Sequence, residues 1–506
     1  MPNINLKLAS ALKKLQKLQK TERITVLRFS QMPRADLALL VKTGFLQETI
    51  KGWYISSNPQ DREGDTTNWV IAYWFFITKY ANAKFGKNWC LSAEQSLSIY
   101  SGNSVIPKQI IIRAAKASNN AQELMHNTSV LYFKSQVAKP IIKDTIFGLN
   151  LYSLSEALVE CSPDFFKRDP ISAKTCLALV SDAGDILKVL IENGRSLKAG
   201  RLAGAFRAIN RPNLADEIMR EMKSAGYDVR EENPFIDDYK LTYSRPQSPY
   251  SVRLKLMWES MRKNVLEIFS DVKPKKLTIE ECFKNIDEKY VADAYNSLSI
   301  EGYKVSDKLI EKVKTGKWNP DTNKDDAQQR DAMAARGYWQ TFQAVKKSIK
   351  KILQGKNAGE IAENEHQIWF RELFSPNVTA GILKEYELSG YRSHQVYIRS
   401  SWHTPLNPAA VRDAMPVLFD LLKKEPDAKV RAVLGHFFFV YIHPYMDGNG
   451  RLGRFLMNVL FTSGGYPWTI VPVVRREEYM QSLEQASVNG NIKDLAKFIV
   501  SLIDKY

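Results

Sequence analysis

Residues 443–454 read HPYMDGNGRLGR, and the organisation of the second half of the chain turns on this stretch. Pro444 disfavours helical angles at the residue before it, so an element must end at His443. Upstream, AKVRAVLGHFFFVYI (428–442) is apolar enough for a buried helix or a buried strand, and its periodicity does not choose between them. Downstream, RLGRFLMNVLFTSGG (451–465) has helical spacing and a stop signal at Gly464–Gly465. The twelve residues therefore make the end of one element, a tight loop and the first turn of a helix.

That placement gives the residue types a common chemistry. A helix N-terminus presents unpaired N–H groups and a partial positive charge. Gly448 and Gly450 let a ligand approach the backbone, forming an anion-binding nest with Asn449 between them. Arg451 and Arg454 are three residues apart and share a helix face, and guanidinium forks match phosphate oxygens. Asp447 suits a hard divalent cation shared with phosphates, Mg²⁺ or Mn²⁺. His443 titrates near neutrality and is placed to act as a general base. Taken alone, His443 would be a core histidine closing a helix; its neighbours favour phosphoryl chemistry on a nucleotide. GNGRLG formally matches GxGxxG, but HPYMD separates it from the preceding element and no βαβ unit surrounds it. No Walker A sequence is present. His436 has no metal-ligand partner at the usual spacing and reads as structural.

The totals bound the rest. A chain of 506 residues exceeds one ordinary core, so several domains are expected. Apolar residues are 44% and charged residues 25%, as in soluble globular proteins. Cys90, Cys161, Cys176 and Cys282 are scattered without a CxxC pair, which argues against a zinc ribbon or disulfide framework and for the cytoplasm. The apolar run WVIAYWFFI (69–77) is too short to cross a membrane and reads as buried. A net charge of +17 calls for an anionic partner: nucleic acid, nucleotide phosphate or an acidic protein.

Along the first sixty residues, Leu8, Leu12, Leu15 and Leu18 recur at helical spacing. A second helix starts at Ser30 or Pro33 and stops at Gly44, and two strands turn near Lys51–Gly52. This is the outline of a winged helix-turn-helix over 1–60, with Arg34, Lys42 and Lys51 as candidate DNA phosphate contacts. Residues 61–230 mix strand-rich stretches (104–115, 139–154) with a helical one (171–194) and read as an α/β domain. The prolines and polar residues of 231–251 mark a linker, and helical patterns dominate 252–506. The first 230 residues, through the winged-helix outline and LNLYSLSEALVECSPDFF (149–166), resemble AbiEi-type antitoxin and regulator proteins. That resemblance implies a promoter-binding repressor; DNA-binding winged helices often act as dimers, and an inhibitor and a catalyst on one chain would suit a toxin–antitoxin setting.

HPYMDGNGRLGR itself resembles the Fic-family signature HxFx(D/E)GNGRxxR, with Tyr445 in place of the usual phenylalanine. WFRELF (369–374), GYRSHQVYI (390–398) and REEYMQSLEQA (476–486) resemble the sequence around it, and the likeness runs over about 270–506. It implies a mainly α, multidomain chain ending in an all-α Fic domain with a β-hairpin flap within 391–403. The implied activity is transfer of AMP from ATP to a Ser, Thr or Tyr hydroxyl of a target protein or of the chain itself. By the same likeness His443 is the base, Asp447 holds Mg²⁺, Gly448, Asn449, Gly450 and Arg451 bind phosphate, and Arg454 meets the γ-phosphate. SLSIEG (297–302) is similar to the family's inhibitory motif, which implies a helix near 290–302 whose Ser297, Glu301 and Gly302 place Glu301 on Arg454. Its alternative reading is a helix cap. Two other functions are compatible with the same residues: hydrolytic removal of AMP from a modified protein, and a nucleotide-sensing repressor without catalysis.

Overall fold

The computed structural model describes residues 4–22, 26–137, 140–192, 194–236, 248–275, 277–317 and 330–503. The chain divides into two compact units, Met1–Arg253 with Tyr397–Thr404, and Leu254–Val396 with Pro405–Tyr506. It is mainly helical, with its sheets in the first unit. About half of the expected linker at 231–251 lies outside the described residues; the division itself comes at Arg253.

In the first unit, residues 4–56 run helix, strand, helix, hairpin. Helix Ile4–Glu22 packs on Arg34–Lys42, burying Ala11, Leu15, Leu37 and Leu40, with Leu8, Leu12 and Leu18 partly buried beside them. The leucine spacing is thus the core face of an amphipathic helix. The second helix ends at Gly44, whose φ of 79° is the left-handed value expected after a helix. Strands Leu46–Ile50 and Trp53–Ser56 form an antiparallel hairpin turning at Lys51–Gly52, and Val26–Arg28 joins it to give a three-stranded sheet.

WVIAYWFFI lies in helix Thr67–Phe85 and is largely buried because this helix is the floor of the unit's main core. Over it sits a four-stranded sheet ordered Cys90–Leu91, Gln109–Ala114, Ser129–Lys134, Ala121–Glu123, with the central pair parallel. The stretch expected to be strand-rich at 104–115 supplies the strand Gln109–Ala114, whereas 139–154 contributes only the two-residue strands Ile142–Lys143 and Asn150–Leu151. The helical stretch 171–194 forms Pro170–Leu179 and Gly184–Glu192.

The second unit is a helical bundle. Its central pair is Ala428–Ile442 and Asn449–Thr462. The ambiguous segment 428–442 is therefore a helix, started by Asp427, whose carboxylate accepts from the N–H groups of Lys429 and Val430 at 2.8 and 3.2 Å. It is apolar on every face because it is enclosed on every face. A Cβ on Gly453 would meet His436 Nδ1 and Val440 Cγ1 at 3.0 Å, so the two helices cross closely just below the 443–454 loop.

Candidate active site

The loop between these helices takes its shape from two left-handed residues. His443 closes the first helix at φ 57°, ψ 62°, the escape from helical angles that Pro444 demands. Left-handed backbone is costly for a residue with a side chain, so other contacts must hold it there. Gly448 precedes the second helix at φ 81°, and a Cβ there would press on Leu373 and Phe374 at 2.9 Å. Only glycine fits. Asn449 staples the loop: its Oδ1 accepts from Tyr445 N–H and its Nδ2 donates to the Tyr445 carbonyl, both at 2.9 Å. Its side chain is therefore committed to the loop, and its contribution to an anion site is confined to the backbone at the helix tip. Tyr445 stacks on Phe370 at 3.8 Å with a 7° interplanar angle, so the aromatic shape is what this position uses. Among the described residues its buried hydroxyl meets no hydrogen-bond partner.

Among the described residues the His443 ring has one hydrogen-bond partner, the Val440 carbonyl, 3.1 Å from Nδ1. A carbonyl accepts, so Nδ1 carries the proton and Nε2 is left as the basic nitrogen. Burial pushes its pKa down to about 4, with the Arg392 cation adding to the fall while the Val440 bond and the Glu301 and Asp447 carboxylates oppose it. At neutral pH the ring is an unprotonated base.

At the helix tip, Asp447 is exposed and accepts from Gly448 N–H at 2.6 Å, while Arg451 Nη2 lies 3.3 Å from its other oxygen. Arg451 is buried with its guanidinium 5.2 Å from the ring centres of both Tyr303 and Phe374, a cation held by two π faces. Arg454 is the hub of a polar cluster. Its Nε donates to Ser297 Oγ at 2.9 Å, and its Nη2 donates to the Ser297 carbonyl at 3.0 Å and to Glu301 Oε1 at 2.7 Å. Burial raises the pKa of the Glu301 carboxyl, but the Arg454 cation, then Arg451, outweigh it and hold the carboxyl below its usual value. A Cβ on Gly450 would collide with the Glu301 carboxylate, so the glycine also leaves room for this acid.

Glu301 is brought here by helix Ile279–Ile300, begun by a Thr278–Glu281 capping box. Gly302 ends it at φ 85°, with Gly302 N–H donating to the Ser299 carbonyl and Tyr303 N–H to that of Leu298. This is a Schellman closure. SLSIEG is thus a helix cap and the carrier of Glu301 at once. One turn and two turns before Glu301, Ser297 and Asp293 occupy the same face; buried Asp293 accepts from Tyr338 Oη at 2.7 Å. Asp293 and Tyr338 were not singled out by the motifs, although the i, i+4, i+8 spacing of Asp293, Ser297 and Glu301 was readable.

Among the described residues no three His, Cys, Asp or Glu side chains are grouped as a metal cage. A single exposed carboxylate beside a helix N-terminus still fits Mg²⁺, which takes few protein ligands and completes its shell with phosphate oxygens and water. His436 is buried and its Nε2 meets Tyr479 Oη at 2.8 Å, as a structural histidine. The β-hairpin expected within 391–403 is not formed. Residues 391–396 are held by side chains of their own unit, and His403 makes an isolated antiparallel bridge with Val105 in the first unit. Arg34, Lys42 and Lys51 are each exposed on the helix and hairpin of residues 34–56, and among the described residues none of the three is in an ion pair.

With this geometry in place, residues 363–461 match the Fic/DOC family. The chain carries a Fic domain. Its match is narrower than the 270–506 span expected from sequence likeness, and it excludes the helix that carries Glu301. The chain is 35% identical over 119 residues to protein adenylyltransferase Fic of Drosophila willistoni, covering 23% of each chain. To protein adenylyltransferase Fic of Nematostella vectensis it is 36% identical over 123 residues, covering 24% of this chain and 28% of that one. The matched region therefore spans about a quarter of these relatives. Fic-1 from C. elegans aligns in structure over 65% of this chain and 89% of that one, at 20% identity and a TM-score of 0.36, too loose a fit to bear weight. Among the described residues no helix is long and apolar enough to cross a membrane.

Proposed function

We propose that the Fic domain transfers AMP from ATP to a hydroxyl of a protein, its own or another's, and that Glu301 holds this activity in check. The observation that carries the reading is the conjunction at one helix tip of a neutral imidazole with a free Nε2, a glycine-flanked N-terminus and two buried arginines. The names of the relatives point the same way. In the reaction, His443 Nε2 takes the proton of the attacking hydroxyl. That oxygen bonds the α-phosphorus, the bond from the α-phosphorus to the bridging oxygen breaks, and pyrophosphate leaves. The glycine-flanked tip at Gly448–Gly450, through the backbone N–H groups of Asn449 and Gly450, and the Arg451 cation stabilise the charge that builds on the phosphate oxygens. Arg454 orients the triphosphate through its terminal phosphate. Asp447 would hold Mg²⁺ against the phosphates, where the ion neutralises charge and steadies the leaving group. Glu301 competes for Arg454 with the terminal phosphate, and a carboxylate in a charge-assisted bond is a matched competitor. The test is labelled ATP with the full chain: Glu301→Gly incorporates label, and adding His443→Ala abolishes incorporation. Failure of Glu301→Gly to label anything while it binds ATP would overturn the reading.

For the first unit we propose contact with DNA through Arg34, Lys42 and Lys51, supported by their shared exposure on a helix and hairpin. Neutralising each phosphate contact steepens salt dependence, so the triple alanine variant should bind duplex DNA more weakly, with a salt slope smaller by about two to three. Equal binding and an equal slope would remove DNA contact from these residues.

A further inference from the structure

Arg392 is a buried cation with an unusual set of partners. Its backbone N–H donates to the Pro444 carbonyl at 3.0 Å and its Nε to the His443 carbonyl at 2.7 Å. Nη1 donates to the His394 carbonyl at 2.9 Å, and Nη2 to that of Leu406. Among the described residues no carboxylate pairs with it. Burial, with Arg412 adding repulsion, lowers its pKa to about 10, so it remains charged at neutral pH. Burying a cation is costly unless its donors are satisfied, and here every acceptor is a main-chain carbonyl. One of them, the His443 carbonyl, belongs to the turn that carries the base; the next carbonyl of that turn, Pro444, is held by the Arg392 main-chain N–H.

We propose that Arg392 is a positioning residue for His443, fixing the left-handed turn so that the imidazole presents Nε2 outward with Nδ1–H on Val440. The reasoning is steric and local. The φ of 57° at His443 is not self-sustaining for a residue with a Cβ. Asn449 holds only the Tyr445–Asn449 part of the loop. On the other side the Arg392 guanidinium grips the His443 carbonyl and its main-chain N–H the Pro444 carbonyl, and the side-chain bond fixes the peptide from which the Cα–Cβ bond of His443 leaves the backbone. Its remaining donors tie down His394 and Leu406, and Gln395 Nε2 donates to the Pro405 carbonyl at 2.8 Å, so the grip itself is anchored at both ends of the 394–406 segment. A lysine has one ammonium for the His443, His394 and Leu406 carbonyls and cannot reproduce the fork.

This inference rests on the AMP-transfer reading for its kinetic consequence but not for its geometry, and the test separates the two. Full-length Glu301→Gly protein is compared with the same protein carrying Arg392→Lys or Arg392→Gln. At saturating ATP the labelling rate should fall about tenfold or more for glutamine and less for lysine, as expected for a misplaced base, while the ATP concentration giving half the maximal rate stays within about twofold. In parallel, ¹⁵N-histidine NMR of each protein, with His443 assigned by His443→Ala, reads the ring directly. The parent should show a protonated Nδ1 and a bare Nε2, and the Arg392 variants a mixture of tautomers. If the glutamine variant does not fold, the lysine variant carries the comparison. Unchanged rate and unchanged tautomer signals would overturn the proposal. If the Glu301→Gly parent fails to label, AMP transfer is refuted and the tautomer signals alone decide the role of Arg392.

Discussion

Replacing Glu301 removes one charge-assisted contact from the Arg454 hub and leaves two others. Ser297 still accepts from Nε and Nη2 through its hydroxyl and carbonyl, so the guanidinium stays in place. What is lost is the bond from Nη2 to Glu301 Oε1 at 2.7 Å. Hydrogen bonds to charged groups contribute roughly 1.5–3 kcal/mol. The Glu301 side chain is 30% exposed, so solvent screening places this pair in the lower part of that range. About 1.5–2 kcal/mol corresponds to a roughly 10- to 30-fold change in the fraction of molecules whose Arg454 is free for a phosphate. Glu301→Gly should therefore label itself or a target roughly 10- to 30-fold faster than the parent, and Glu301→Gln, a neutral acceptor, should fall between. The helix end survives the change, because its closure depends on Gly302 and on Arg476 Nε donating to the Ile300 carbonyl at 2.8 Å. The assay is incorporation of labelled nucleotide at fixed ATP, with ATP affinity measured alongside. Equal rates in parent and Glu301→Gly at equal ATP occupancy would refute the lock.

His443 gives a prediction in pH. On the proposed reading its neutral ring is the active form, and burial holds its pKa near 4, so labelling by the Glu301→Gly protein should hold its rate from pH 8 down to about 5.5 and fall only below that; an acid limb centred near 6.5 would contradict it. Asp293 gives one in stability. Burial outweighs the Tyr338 hydrogen bond and the attraction of Arg454 and raises the Asp293 pKa to about 6. The folded state thus binds a proton more tightly than the unfolded one, and the ionised carboxyl costs stability above that pKa. Asp293→Asn, which keeps an acceptor for Tyr338, should be more stable than the parent at pH 8 by up to about 3 kcal/mol, with the gap closing as pH falls through 6 toward 4. Thermal melts across that range check it, and a gap that widens toward acid would be the wrong sign.

The helix tip was legible because its chemistry is local: glycines, an acid and arginines within twelve residues at a helix start. Helix Ala428–Ile442 was not legible as a helix, since a segment enclosed on all sides shows no period. Glu301 was found through SLSIEG, while Asp293 on the same helix face belongs to no motif. Arg392 went unseen because nothing in GYRSHQ reveals that an arginine 51 residues before His443 returns to grip its carbonyl. In the sequence Asn449 reads as part of the phosphate site, because side-chain to main-chain stapling within a loop leaves no separate signature. The hairpin expected at 391–403 failed for a tertiary reason: Arg392 and Gln395 hold the first limb through side chains, and the bridging partner of His403 is Val105, distant in sequence.

The most direct measurement is the position of the label. Glu301→Gly protein is incubated separately with ATP labelled at the α-phosphate and at the γ-phosphate, and the protein is then denatured and counted. The account predicts covalent retention of the α-label, none of the γ-label, release of pyrophosphate, and loss of the signal with His443→Ala. Retention of the γ-label would mean phosphate transfer and would contradict it.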